Sequence, residues 1–126
     1  MRTSPCRPLA LLSLALLCGC AILRDPAGTG VQPVYDARPM AKSRVVPGKV
    51  EDVYRKVLAI ANGYSWEVFR ELPEEHLVVF DHIPGSVDTT QVGVFCTESD
   101  NGVLVEVSCQ ALFSRELAAK ALFQRL

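Results

Sequence analysis

The sequence predicts an α+β domain over residues 43–126, in which an antiparallel sheet carries two helices on one face. Three patterns support this prediction: an apolar repeat of helical period, a clear β-hairpin, and runs of neighbouring strands that no helix separates. Strands that follow one another directly tend to pair antiparallel, and the flanking helices then pack on one side of the sheet. The predicted element order is β-α-β-β-β-β-α.

The first helix is the most strongly marked element. It is predicted to begin at Val50 and to end at Asn62-Gly63, a pair typical of helix C-termini. Glu51 and Asp52 lie in its first turn, where the helix dipole favours acidic side chains. The apolar side chains that form its single buried face are Val50, Val53, Tyr54, Val57, Leu58 and Ala61.

Turn residues separate the predicted strands, which cover residues 43–46, 65–71, 77–83, 89–97 and 103–110. The last two strands form a hairpin with Asn101-Gly102 as its two-residue turn. The core face of this hairpin would then carry Val92, Val94, Cys96, Val103, Val105, Val107 and Cys109. Ser114 is a favourable N-cap and predicts a closing helix over residues 115–126.

The first 20 residues follow the plan of an export signal. Arg2 and Arg7 precede an apolar run over residues 9–17, which is about half of the roughly 20 residues that a membrane-spanning helix needs. The run ends in Leu17-Cys18-Gly19-Cys20, which resembles the lipobox of bacterial lipoproteins. The resemblance implies a diacylglycerol thioether on Cys20, cleavage before it, and acylation of the new amino terminus. The alternative is an ordinary signal peptide with a chance cysteine.

The lipobox resemblance divides the chain into a signal peptide (1–19), a lipidated N-terminus with a flexible tether (20–42) and a small periplasmic α+β domain (43–126). Several acyl chains make a stable membrane anchor. Because Ala21 and not an aspartate follows Cys20, the resemblance favours the outer membrane, with the domain facing the periplasm.

Proline and glycine interrupt any regular period in the predicted tether, which favours an extended, irregular chain. The alternative is that part of this segment docks on the domain as an extended arm. The apolar side chains available for such docking are Val31, Val34, Tyr35 and Met40.

Charge and motifs argue against several classes of function. Without the signal peptide, 11 basic residues remain against 14 acidic ones, a net charge of −3, which offers no basic face for nucleic acid. No serine has the flanking glycines of a nucleophile elbow, and no glycine-rich loop opens a helix to hold phosphate. The sequence therefore predicts a protein that is not an enzyme, with no catalytic residues, metal or cofactor.

His76 and His82 are the only histidines, and Asp81 lies beside the second. Six residues along one strand span roughly 20 Å, so the two rings cannot bind one zinc ion. We therefore expect Asp81 and His82 to form a polar cluster at the end of a strand.

Cys96 and Cys109 are the thiols that remain after Cys6 and Cys18 leave with the signal and Cys20 is modified. In the predicted hairpin they are diagonal neighbours, farther apart than the roughly 3.5–4.5 Å between Cβ atoms that a disulfide needs. A register moved by two residues would bring them directly opposite each other. The sequence leaves two alternatives open: a structural disulfide or a pair of buried thiols.

The sheet face away from the helices is the predicted functional surface. Phe69, Phe95 and Leu104 should lie on it, and an exposed apolar patch of this kind usually marks a contact surface. The first hypothesis is therefore a non-enzymatic membrane-anchored lipoprotein that contacts an envelope protein through this face. The alternative for the face itself is that the tether or a loop covers it.

The second hypothesis is a module that binds a small ligand or a lipid. Its cavity would lie between the long helix and the sheet, around Tyr54, Tyr64 and Trp66.

The stretch from Val53-Tyr54-Arg55 to Trp66-Glu67-Val68 gives residues 46–126 a resemblance to small helix-grip domains of bacterial envelope lipoproteins. These include accessory lipoproteins of the outer-membrane β-barrel assembly machinery. The resemblance implies a helix-grip-like fold and an accessory role in envelope assembly, and it assigns no site residues.

Overall fold

The computed structural model describes residues 28–86 and 90–126. It confirms the α+β class and the predicted β-α-β-β-β-β-α order from residue 42 onward, and it adds one short helix before it. The elements are α1 (Gln32–Ala37), a 3₁₀ turn (Arg38–Met40), β1 (Lys42–Val46), α2 (Val50–Gly63), β2 (Glu67–Leu72), a 3₁₀ turn (Pro73–Glu75), β3 (Leu77–His82), β4 (Val92–Ser99), β5 (Gly102–Cys109) and α3 (Leu112–Phe123).

The five strands form one open antiparallel sheet in the order β1-β5-β4-β3-β2. The first strand therefore pairs with the last, with Lys42 opposite Val107 and Val46 opposite Val103. The other edge is β2, whose pairing with β3 shifts register twice near Val68. A bulged edge of this kind is a poor template for a further strand.

Helices α2 and α3 pack on one face of the sheet, as the sequence predicts. The apolar face of α2 contributes Val53, Val57 and Ala61 to this core, and α3 contributes Ala118 and Leu122. The small alanines allow α3 to lie close to the strands. Trp66, just before β2, closes the core with its ring set edge-on against Phe80 at 5.2 Å between centroids.

The β4–β5 hairpin has the predicted faces but a different turn. Ser99 pairs with Gly102, so the two turn residues are Asp100 and Asn101 and not Asn101 and Gly102. Gly102 has a φ of +138°, and a Cβ at this position would lie 2.2 Å from the carbonyl oxygen of Val46. Glycine is required here because β1 passes so close, which explains why it ends up in the strand.

Helix α3 begins three residues earlier than Ser114 predicts. Ala111 occupies the N-cap position, and the helix runs from Leu112 to Phe123. Ser114 is buried and its hydroxyl lies 2.7 Å from that of Ser86, in the turn after β3. The serine therefore joins the helix to a loop and does not cap its backbone.

The second face of the sheet is covered by α1, which corrects the prediction of a flexible tether up to residue 42. Val31 and Val34 have no exposed surface and Tyr35 is 4% exposed. They pack on Leu77, Val79 and Phe95 in a second core. The folded part of the chain thus begins by residue 31, and the docked segment is helical where the sequence alternative was an extended arm.

Two residues of the sheet allow α1 to come this close. Gly93 offers no side chain, and a Cβ there would lie 2.8 Å from the Cβ of Val34. Ser108, on the neighbouring strand, is fully buried and donates a hydrogen bond of 2.5 Å to the carbonyl oxygen of Val34. This bond joins the backbone of α1 directly to β5.

Candidate contact site at one end of the sheet

The predicted contact face at Phe69, Phe95 and Leu104 is not open, and this expectation needs correction. Phe95 is 3% exposed because Tyr35 lies edge-on against its ring, with 5.3 Å between centroids. Phe69 is half-buried against the same second core. Leu104 is partly exposed beside Val45, which is all that remains uncovered of the predicted patch.

Arg38 completes the cover over Phe95. Its guanidinium carbon lies 4.1 Å from the centre of the Phe95 ring, and its Nη2 forms an ion pair of 2.9 Å with Glu106. Cation–π attraction and a charge-assisted hydrogen bond both favour this position. Glu106 is therefore paired with the protein's own N-terminal segment.

The predicted ligand cavity near Tyr54, Tyr64 and Trp66 is filled by the side chains themselves. Trp66 is 7% exposed and stacks on Tyr64, with ring centroids 5.8 Å apart. The Tyr54 hydroxyl donates to the carbonyl oxygen of Leu77 at 3.2 Å, and burial raises the pKa of this phenol to about 12. The three rings are part of the core.

Cys96 and Cys109 are buried thiols and are not joined by a disulfide. Cys96 lies opposite Val105, and Cys109 lies opposite Val92. The observed register differs by two residues from the predicted one, in the direction that separates the two cysteines further. Cys109 lies four residues beyond the residue that pairs with Cys96, which is roughly 13 Å along the strand. Burial raises the pKa of Cys96 to about 12, which leaves its sulfur protonated and unreactive at neutral pH.

The histidines lie at opposite ends of β3. His76 has a left-handed backbone (φ 49°), and its Nε2 lies 2.7 Å from Glu51 Oε1 on α2. This hydrogen bond lowers the pKa of Glu51. His82, beside Asp81, is exposed. Among residues 28–86 and 90–126, no group of three or more histidine, cysteine or acidic side chains is placed to hold a metal ion.

A cleft of about 470 Å³ opens where β5 ends and α3 begins. The end of α1 and the following turn form one wall, and the start of α3 forms the other. Its lining is mostly apolar and consists of Asp36, Ala37, Met40, Cys109, Gln110, Leu112 and Arg115.

Arg115 joins the two walls of the cleft. Its Nη1 donates to the carbonyl oxygen of Met40 at 2.7 Å, and its Nη2 lies 3.3 Å from Glu116. Its Nε is buried and has no hydrogen-bond acceptor within the described part of the chain. Lys42 and Arg115 together hold the pKa of Glu116 below its usual value, with the Lys42 hydrogen bond the larger cause.

Three large apolar side chains face solvent at this end of the molecule, and two of them, Met40 and Leu112, line the cleft. Met40 is 71% exposed, and Leu112 and Phe113, in the first turn of α3, are each 63% exposed. We call these three residues the Met40–Phe113 surface. Clustered exposure of large apolar side chains beside a concave site is typical of contact surfaces. Leu112 and Phe113 lie before the helix start that Ser114 predicts, and two large apolar side chains in that position are the signal that could reveal this surface.

The anchor predicted at Cys20 lies outside the described residues. Of the helices that the structure does describe, none has the length and apolar character to cross a bilayer. Comparison with known proteins found no protein family and no curated protein that matches this chain. The structure therefore defines the class as an α+β domain with a mostly apolar cleft at one end of its sheet.

Proposed function

We propose that the protein is a non-enzymatic lipoprotein of the bacterial envelope that contacts a protein partner through the Met40–Phe113 surface. Cys20 would carry the lipid anchor, in the outer membrane and facing the periplasm, and the folded domain would present the cleft. The observation that carries the contact role is the exposure of Met40 and Leu112, which line a mostly apolar cleft, together with that of Phe113, the next residue of α3.

The chemistry of the cleft supports a protein partner. Its apolar walls would bury a hydrophobic side chain, and the exposed carboxylate of Asp36 can accept hydrogen bonds from a backbone. Arg115 also lines the cleft, and its guanidinium can donate a hydrogen bond to a peptide carbonyl of a partner. A concave apolar site with a few polar groups at defined positions is the usual form of a binding pocket.

The contact role is tested by placing a photo-crosslinking amino acid, benzoylphenylalanine, at position 113 in the full-length protein in cells. We expect one dominant protein adduct, and we expect Leu112→Glu to abolish it because a charge would enter the apolar contact. Val68→Glu is the matched control, because Val68 is 50% exposed but lies on β2, away from the cleft. No adduct at position 113, or equal loss with both substitutions, contradicts the contact role.

The anchor is tested separately with Cys20→Ala. We expect this variant to leave the membrane fraction, because the acyl chains have no other attachment site. A protein that stays in the membrane with its signal sequence uncleaved contradicts the lipoprotein assignment.

A small-ligand module remains the second candidate, now placed at the cleft and not at the aromatic core. The specific observation is the cleft volume of about 470 Å³, which lies in the range of small-molecule sites, roughly 300–1,000 Å³. Native mass spectrometry of gently purified protein would detect a bound small molecule. A ligand whose binding is lost in Leu112→Glu would favour this role over the protein contact.

A further inference from the structure

The N-terminal segment enters the fold at a fixed point on the sheet. The carbonyl oxygen of Thr29 accepts a hydrogen bond of 3.2 Å from Arg70 Nε on β2. The carbonyl oxygen of Gly30 accepts one of 3.0 Å from Gln91 Nε2, immediately before β4. The segment passes beside the Phe69 ring, since a Cβ built on Gly30 would lie 3.7 Å from it. Two hydrogen bonds thus hold residues 29 and 30 against the strands.

This entry point and the cleft lie at the same end of the sheet. Val92, the first residue of β4, pairs with Cys109, the last residue of β5. Continuing this ladder by one position places Gln91, which binds Gly30, beside Gln110, which lines the cleft. Backbones of neighbouring strands are about 4.8 Å apart. The chain therefore enters the fold over β2 to β4, one to three strands, or about 5–15 Å, from β5, which lines the cleft.

The leader between the proposed anchor and this entry point is short. Residues 20–27 separate Cys20 from Gly28, so the leader has 8 residues where the sequence alone suggested a tether of more than 20. Because a chain spans at most about 3.6 Å per residue, this leader reaches no farther than about 29 Å. In the lipidated protein the entry point must lie within that distance of the bilayer surface. The cleft, at the same end of the sheet, must lie within that distance plus the one to three strand spacings that separate it from the entry point.

We infer that the partner of the Met40–Phe113 surface is a membrane-bound protein, which is contacted close to the bilayer. This inference rests on the proposed anchor and contact role. A partner that diffuses freely in the periplasm would have easier access to a cleft at the opposite end of the sheet, near residues 72–77 and 99–102, which is farther from the anchor. The cleft lies instead at the end where the anchor holds it.

The bilayer itself is a poorer occupant of this surface than a protein. The cleft is concave, and Asp36 lines its wall while Glu116 adjoins it. Insertion of this surface into the hydrocarbon region would strip water from the Asp36 carboxylate, and hydrocarbon offers no hydrogen-bond donor in return. The mature chain also carries a net charge of −3, which is repelled by anionic lipid headgroups. A protein surface can supply both donors and acceptors to the cleft.

The test lengthens the leader in the full lipidated protein and keeps benzoylphenylalanine at position 113. A 20-residue Gly-Ser insert after Ala27 extends the leader from 8 to 28 residues. Since effective concentration falls as about the −3/2 power of linker length, we expect roughly sixfold less of the protein adduct. A 10-residue insert should give an intermediate loss, and the captured protein should itself carry a membrane anchor or span.

Three results would overturn the inference, and they are distinguishable from failure of the proposed function. An adduct whose yield is unchanged by the 20-residue insert shows a contact that does not depend on height above the bilayer. A captured partner that is a soluble periplasmic protein contradicts a membrane-bound one. Capture of phospholipid and no protein at position 113 identifies the bilayer as the occupant. Absence of any adduct in the protein without an insert instead contradicts the contact role itself.

Discussion

Val34→Ala tests whether the packing of α1 on the sheet contributes to the stability of the domain. Val34 has no exposed surface and packs on Gly93, over the middle of the sheet. Removing its two methyl groups costs about 1.6 kcal/mol at about 0.8 kcal/mol for each group. The strand below cannot collapse into the space, and the remaining cavity raises the loss to about 2–3 kcal/mol. We therefore expect the free energy of unfolding to fall by that amount.

Urea unfolding followed by tryptophan fluorescence measures this change. Trp66 is the single tryptophan and lies in the core on the opposite face of the sheet, so it reports on global unfolding. Val68→Ala is the control, because Val68 is half-exposed on the bulged edge strand, and it should cost less than about 1 kcal/mol. A loss below about 0.5 kcal/mol for Val34→Ala would refute the view that α1 stabilises the domain.

Three further outcomes follow from the described contacts. Gly93→Ala should destabilise the domain by about 1–3 kcal/mol in the same urea assay, because the added methyl overlaps Val34, and a neutral result would mean that α1 shifts freely. Cys96 should resist maleimide labelling at pH 7 in the folded protein and react fully in guanidinium chloride without reductant; labelling without denaturant would contradict its burial. The hydrogen bond from His76 lowers the pKa of Glu51 in the folded protein. This bond therefore stabilises the fold above about pH 4.5, and the stabilisation is lost as the pH falls through the lowered pKa. Glu51→Gln should lower the urea midpoint at pH 6 and not at pH 3.

Much of the sheet and helix α2 could be predicted because one periodic pattern dominates each of them, whereas α3 was predicted from Ser114 alone and begins three residues earlier. The stripe on α2 and the alternation in β4 and β5 report burial directly, and burial is what holds these elements in place. The prediction of an Asn101-Gly102 turn is wrong because Gly102 is a glycine for another reason. The backbone of β1 passes so close that no side chain fits at this position. A contact from a distant strand leaves no local trace in the sequence.

The N-terminal helix was missed because its proline and glycine neighbours resemble a tether. Its signal was present but short: Val31, Val34 and Tyr35 fall at i, i+3 and i+4, and Pro33 occupies one of the first two helical positions, where proline is favoured. Six residues are too few for an isolated helix to form, so tertiary packing decides the structure here. The predicted contact face failed for the same reason, since the segment that covers Phe95 was assigned elsewhere.

The pairing of β1 with β5 sets the order in which the domain can be completed. Lys42 and Val107 are opposite each other in the sheet but 65 positions apart in the chain. A chain is made from its N-terminus, so the strand nearest the proposed anchor appears first and obtains its neighbour last. Closing so long a loop is entropically costly and slows folding. Before β5 has been synthesised and has folded, the apolar residues of α1 have only part of their packing surface. The incomplete chain then exposes apolar side chains, and this is the interval in which aggregation is the greatest hazard.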